Sequence, residues 1–95
     1  MEIEQEAFRV RLPQKGEVIG EILEVLGASR FKIACADGHT RICRIPGRFR
    51  KMIKVRAGDY TIVQPWDIQS EEKGDVVYIY TRTQVGWLRK KGVIK

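Results

Sequence analysis

Ninety-five residues, 43% hydrophobic and 32% charged, suit one globular domain: the chain is too short for a second domain and too apolar for a disordered one. Its net charge of +6 is unevenly spread: residues 1–40 hold five basic and seven acidic side chains, residues 57–95 hold six and five, and "RICRIPGRFRKMIKVR" (41–56) holds seven basic and no acidic ones. A solvated surface does not require such segregation, whereas a site for a polyanion does.

The start, "MEIEQEAF", is acidic where a secretory signal needs a basic end and an apolar run, and no stretch approaches the length of a membrane span. A cytoplasmic protein with no membrane partner is therefore expected. Residues 1–14 read as a mostly flexible N-terminal tail whose last residues, "RVRLP", order at the domain's edge. Pro13, Lys15 and Gly16 mark the entry to a barrel over 15–81. "EVIGEILEVLG" (17–27) has apolar residues on both parities, and Gly20 within it suits a long, bent strand with both faces covered in turn.

"RFKIACA", Asp37-Gly38 and "HTRICRI" predict a hairpin, because Asp-Gly between β-rich runs readily takes the positive φ values of a type I′ turn. With those two residues as the loop, Ala36 faces His39, Cys35 faces Thr40 and Ala34 faces Arg41. This register puts Phe31, Ile33, Cys35, Thr40 and Ile42 on a core face and Arg30, Lys32, His39, Arg41 and Cys43 on a basic outer face. Arg44 falls on the apolar side, so it either ends the strand or follows a bulge. Cys35 and Cys43 occupy opposite faces, which argues against a bridge. With His39 they have neither the spacing nor the fourth ligand of a zinc site.

In "PGRFRKMIKV", Phe49, Met52 and Ile53 share one side of a short helix, Arg50, Lys51 and Lys54 project from the other, and Arg48 lies on the flank. "GDYTIVQP" (58–65) and "DVVYIYT" (75–81) read as two more strands around a polar loop, "WDIQSEEKG". Residues 82–95 form a C-terminal helix and tail: Thr83 can cap it, Val85 and Leu88 align, Arg89, Lys90 and Lys91 suit its negative end, and Gly92 stops it. The fold class is all-β with minor α. Five strands with a short helix between the third and fourth is the order of the OB-fold, a barrel that binds oligonucleotides on the face of strands 2 and 3, where the basic face falls here.

From "VRLPQKGEVIG" through Asp37-Gly38, "RICRIPGRFRK", "PWD" and "DVVYIYT" to "TQVGWLRKKG", the chain resembles the archaeal translation initiation factor 1A family, a relative of bacterial initiation factor 1. The resemblance implies an OB-fold factor that binds the small ribosomal subunit at the A site and contacts its ribosomal RNA. It also implies help in positioning initiator tRNA at the start codon, alongside other initiation factors. By position it implies RNA contacts at Arg41, Arg44, Arg48, Arg50 and Lys51, with Gly47 letting the backbone approach phosphate. The family pattern usually has an aromatic where this chain has Lys54, which replaces a stacking partner with a phosphate partner.

The expected RNA-binding set is thus Arg30, Lys32, His39, Arg41, Arg44, Gly47, Arg48, Arg50, Lys51, Lys54, Arg56 and Trp66. The competing readings are a solvated basic face for the cluster, plain exposure for His39 and a structural anchor for Trp66. The terminal "RKK" fits helix-end charge better than RNA contact. One histidine and two cysteines on opposite faces supply neither an activated nucleophile nor an open metal site, so no catalysis, cofactor or metal is expected. The alternative function is a general single-stranded RNA-binding or RNA-chaperone barrel of cold-shock type, which would stack bases on aromatics exposed on strands 2 and 3. The outer face expected there is basic without an aromatic, which favours a folded RNA bound by its backbone. Charged surfaces and the lack of a large apolar patch in the pattern predict a monomer.

Overall fold

In the computed structural model, which describes residues 10–27, 29–45 and 55–95, the longest strand, β1 (Val18–Gly27), pairs antiparallel with two neighbours. Its first residues meet β4 (Tyr60–Pro65), and from Gly20 onward it meets β2 (Arg30–Cys35). Strand β3 (Thr40–Arg44) pairs with β2, β5 (Lys73–Ile79) pairs with β4, and a parallel β3–β5 seam closes the barrel in the order β1-β2-β3-β5-β4. The seam has three pairs: Ile42 with Lys73, Cys43 with Gly74 and Arg44 with Asp75. This is the five-stranded barrel of an OB-fold. Of the helix expected over "PGRFRKMIKV", only Val55 is among the described residues.

β1 bends as expected, through register shifts between Ile22 and Glu24 and between Val25 and Gly27. Its second half is not covered on both faces, however: Leu23, Val25 and Leu26 are exposed. The reason is topological, since pairing with β4 ends at Glu21 and leaves that half with β2 as its partner.

Ile62 and Val63 on β4 are both fully buried, one on each face. Val63 joins Ile22, Phe31, Ile33, Cys35, Cys43, Ile45 and Val76 in the barrel interior. Ile62 instead packs with Val10, Ile19, Tyr80, Leu88 and Ile94 beneath the helix α1 (Arg82–Lys90). The cap of α1 is Thr81 rather than Thr83: Gln84 N donates to the Thr81 hydroxyl, and Thr81 N donates back to Gln84 Oε1. Gly92, at φ +79°, ends the helix, with Gly92 N donating to Arg89 O and Val93 N to Leu88 O.

The N-terminal segment joins this second core from Val10. Arg11 pairs with Glu17 at 2.9 Å and lies over the Tyr78 ring, while the Tyr80 hydroxyl donates to the Arg11 carbonyl. Burial, with Tyr78 beside it, pushes the Tyr80 phenol up to about 12.

Gly74 sits in the closing seam where a Cβ would lie 2.7 Å from Val63 Cγ1 and 3.1 Å from Gln64 O. Gly74→Ala is therefore expected to destabilise the domain by about 1–3 kcal/mol. A thermal melt checks this: an unchanged midpoint would mean that the seam relaxes freely.

Candidate nucleic-acid interface

The β2–β3 hairpin pairs Ala34 with Thr40, Ile33 with Arg41, Lys32 with Ile42, Phe31 with Cys43 and Arg30 with Arg44. This is one residue away from the register expected for a two-residue loop. Cys35 O accepts from Gly38 N, Cys35 N donates to His39 O, and Gly38 takes φ +93°. Three residues, Ala36 to Gly38, thus make the loop: a tight turn followed by a left-handed glycine.

A one-residue slip exchanges the faces of a strand, and β3 is exchanged throughout. Thr40 is exposed and Ile42 half-exposed, while Cys43, expected outside, is 1% exposed. Arg44, which falls on the apolar side in the expected register, emerges on the outer face with 61% of its side chain exposed. Cys35 and Cys43 share the interior cluster as free thiols. Desolvation raises both, Cys43 to about 12, so neither is a ready thiolate.

Arg41 is the main correction. It was expected on the basic face, but it is 3% exposed. Its guanidinium donates to both carboxylate oxygens of Asp37, at 3.0 and 2.8 Å, and its Nε donates to Ser70 O at 2.6 Å. The hydrogen bond from Arg41 is the main cause holding the Asp37 carboxyl below its usual range, and Asp37 in turn raises Arg41. A carboxylate lowered in the folded state contributes stability above its unfolded value of about 3.9, and that contribution fades as pH falls through the folded value. Arg41 stays charged throughout. The melting-point advantage of the native chain over Asp37→Asn is accordingly expected to be full at neutral pH and to vanish in acid. An advantage independent of pH would contradict the ion pair.

The outer face of β2–β3 keeps Arg30, Lys32 and Arg44, all exposed. Arg30 and Arg44 are direct cross-strand partners, an arrangement of like charges that costs stability and fits an anionic partner. Beside them Trp66 donates its indole N–H to Asp75 Oδ1 at 3.1 Å, Arg44 Nε contacts the same oxygen at 3.4 Å, and the Arg44 guanidinium lies 5.4 Å from the ring centroid. Trp66 is thereby held between Asp75 and Arg44 at the edge of an open groove of about 410 Å³. His39 is at the hairpin turn, partly exposed, with Nε2 4.0 Å from Glu71 Oε2.

Arg56 lies apart from this strip. It lines a second cleft, of about 430 Å³, with Arg82, Arg89, Gly58 and Gly86. Arg82 was not singled out in the sequence and Arg89 was read as helix-end charge, although the spacing of Arg82, Gly86 and Arg89 leaves one helix stripe both cationic and open. Gly47, Arg48, Arg50, Lys51 and Lys54 lie outside the described residues. Among those described, no group of three or more His, Cys, Asp or Glu side chains is placed to hold a metal, and no helix is long and apolar enough to cross a membrane.

A family model described as translation initiation factor 1A / IF-1 matches residues 7–95. The chain belongs to the translation initiation factor 1A family. Translation initiation factor 1A of Methanothermobacter thermautotrophicus is 50% identical over 91 residues, which cover 96% of this chain and 92% of that one. The factor of Thermococcus kodakarensis is 52% identical over 91 residues, covering 94% and 78%. Among solved structures, bacterial translation initiation factor 1 from the Wolbachia endosymbiont of Brugia malayi matches with a TM-score of 0.52 and 26% identity, over 73% of this chain and 82% of that one.

Proposed function

We propose that this initiation factor binds the small ribosomal subunit at the A site by neutralising ribosomal RNA phosphates, and there helps position initiator tRNA at the start codon beside other initiation factors. It does so as a cytoplasmic monomer and a non-catalytic binding module. The observation that carries the reading is the cross-strand pair Arg30–Arg44 with Lys32 alongside, on the outer face of β2–β3 in a barrel of this family. Opposed like charges cost the fold stability, which a phosphate backbone bound across both arginines recovers. Arg56 adds a cation in the second cleft. Arg48, Arg50, Lys51 and Lys54, with Gly47, extend the cationic sequence between them.

The cold-shock alternative loses support from the same strands. Phe31, the aromatic on β2, is buried, and β3 has none, so successive bases have no stacking platform on this face. An anticodon stem-loop that occupies the A site is expected to compete with the chain for isolated small subunits. Simultaneous, independent binding of the two would contradict the A-site assignment.

A further inference from the structure

We propose that Arg41 is a positioning residue: it clamps the hairpin turn to the β4–β5 loop and so holds the RNA-binding face in its binding geometry without touching RNA. This rests on the RNA-binding reading above. The guanidinium is buried, and three of its donors are already engaged, two by the Asp37 carboxylate in the turn and one by the Ser70 carbonyl in the loop. A phosphate could take those donors only by breaking both contacts.

The location gives the clamp its leverage. Arg41 immediately precedes the three parallel pairs that close the barrel, so it reinforces one end of a short seam. The loop across the seam is tied to β3 at both ends. Arg44 engages Trp66 and Asp75, and Arg41 engages Ser70. Between them Gln69, at φ +60°, accepts from Glu72 N and Lys73 N, while Ile42 N donates to Glu72 O. The loop therefore sits in one arrangement, and that arrangement sets where Trp66 meets the Arg44 guanidinium. Rigid presentation lowers the ordering cost of binding. Asp37 thereby acquires a role that runs against simple charge counting, since a carboxylate beside an RNA-binding face would by itself weaken binding.

The test is titration of isolated small subunits, across a salt series, with the native chain, Arg41→Lys and Asp37→Asn, each below its own melting temperature. Arg41→Lys keeps the charge and loses the planar fork; Asp37→Asn raises net charge by one. Both are expected to bind roughly tenfold more weakly, with the native salt slope, because no phosphate contact is lost. In both, the amides of Glu72 and Lys73 are expected to exchange faster with solvent. Should Asp37→Asn fail to fold, Arg41→Lys carries the test. Native affinity in Arg41→Lys, tighter binding by Asp37→Asn, or a lower salt slope in either would overturn the proposal alone. A native chain that fails to bind subunits would overturn the RNA-binding reading and the proposal with it.

Discussion

Replacing Ile33 or Cys43 with aspartate is expected to unfold the domain, whereas Ile42→Asp should leave it folded. Ile33 and Cys43 are 0% and 1% exposed and belong to one apolar interior cluster, and Arg41, paired with Ile33 across the strands, is already engaged by Asp37. A carboxylate there must be neutralised or left unpaired, at several kcal/mol in either case, against a total stability of roughly 5–15 kcal/mol. Ile42 is half-exposed on the outer face beside Lys32, and the same substitution should cost about 1 kcal/mol. Far-UV circular dichroism and thermal melts separate the cases. A folded Cys43→Asp together with an unfolded Ile42→Asp would restore the two-residue loop and put Arg41 back on the outer face.

The second large effect is on binding. Reversing Arg30 and Arg44 together to glutamate should weaken subunit affinity on the order of a hundredfold and lower the salt slope by roughly 2, close to one released counterion per lost phosphate contact. Both side chains are exposed, and the fold loses only the Arg44 contacts with Asp75 and Trp66, so the domain should stay folded with stability lower by about 1 kcal/mol. Titration of isolated subunits across a salt series, with a melt of the same sample, checks both parts. Native affinity would place the RNA contact elsewhere, and lost folding would make the pair structural. The same reversal at Arg48 and Arg50 is expected to act in the same direction.

The order of strands and the C-terminal helix were legible because each rests on a local signal. β-branched runs mark the strands, Asp-Gly marks the turn, and the apolar spacing of Val85 and Leu88 with Gly92 behind them marks the helix. The register of β3 was not, because Asp-Gly serves two- and three-residue loops alike, and the choice between them depends on contacts distant in sequence. Asp37 is held by Arg41, and Arg41 by Ser70 across the barrel seam. Arg44 carried the warning: an arginine stranded on the apolar side of the expected hairpin becomes an ordinary exposed residue once the loop gains one position. The basic character of the face survived the slip because Arg30 and Lys32 lie on β2, whose parity was right, and Arg44 took the place of Arg41. Trp66 could not be assigned from sequence, since its partners Arg44 and Asp75 come from two other strands.

A dedicated ligand of the small ribosomal subunit is told from a general RNA-binding barrel by its affinity for isolated subunits across a salt series, beside the same titration against an unstructured single-stranded RNA. Phosphate-driven binding weakens with salt on either target. The expected result is saturable, one-to-one binding to the subunit that persists at salt concentrations where the free strand has dissociated. Equal affinities with equal salt slopes would contradict it and make the chain a general RNA-binding barrel.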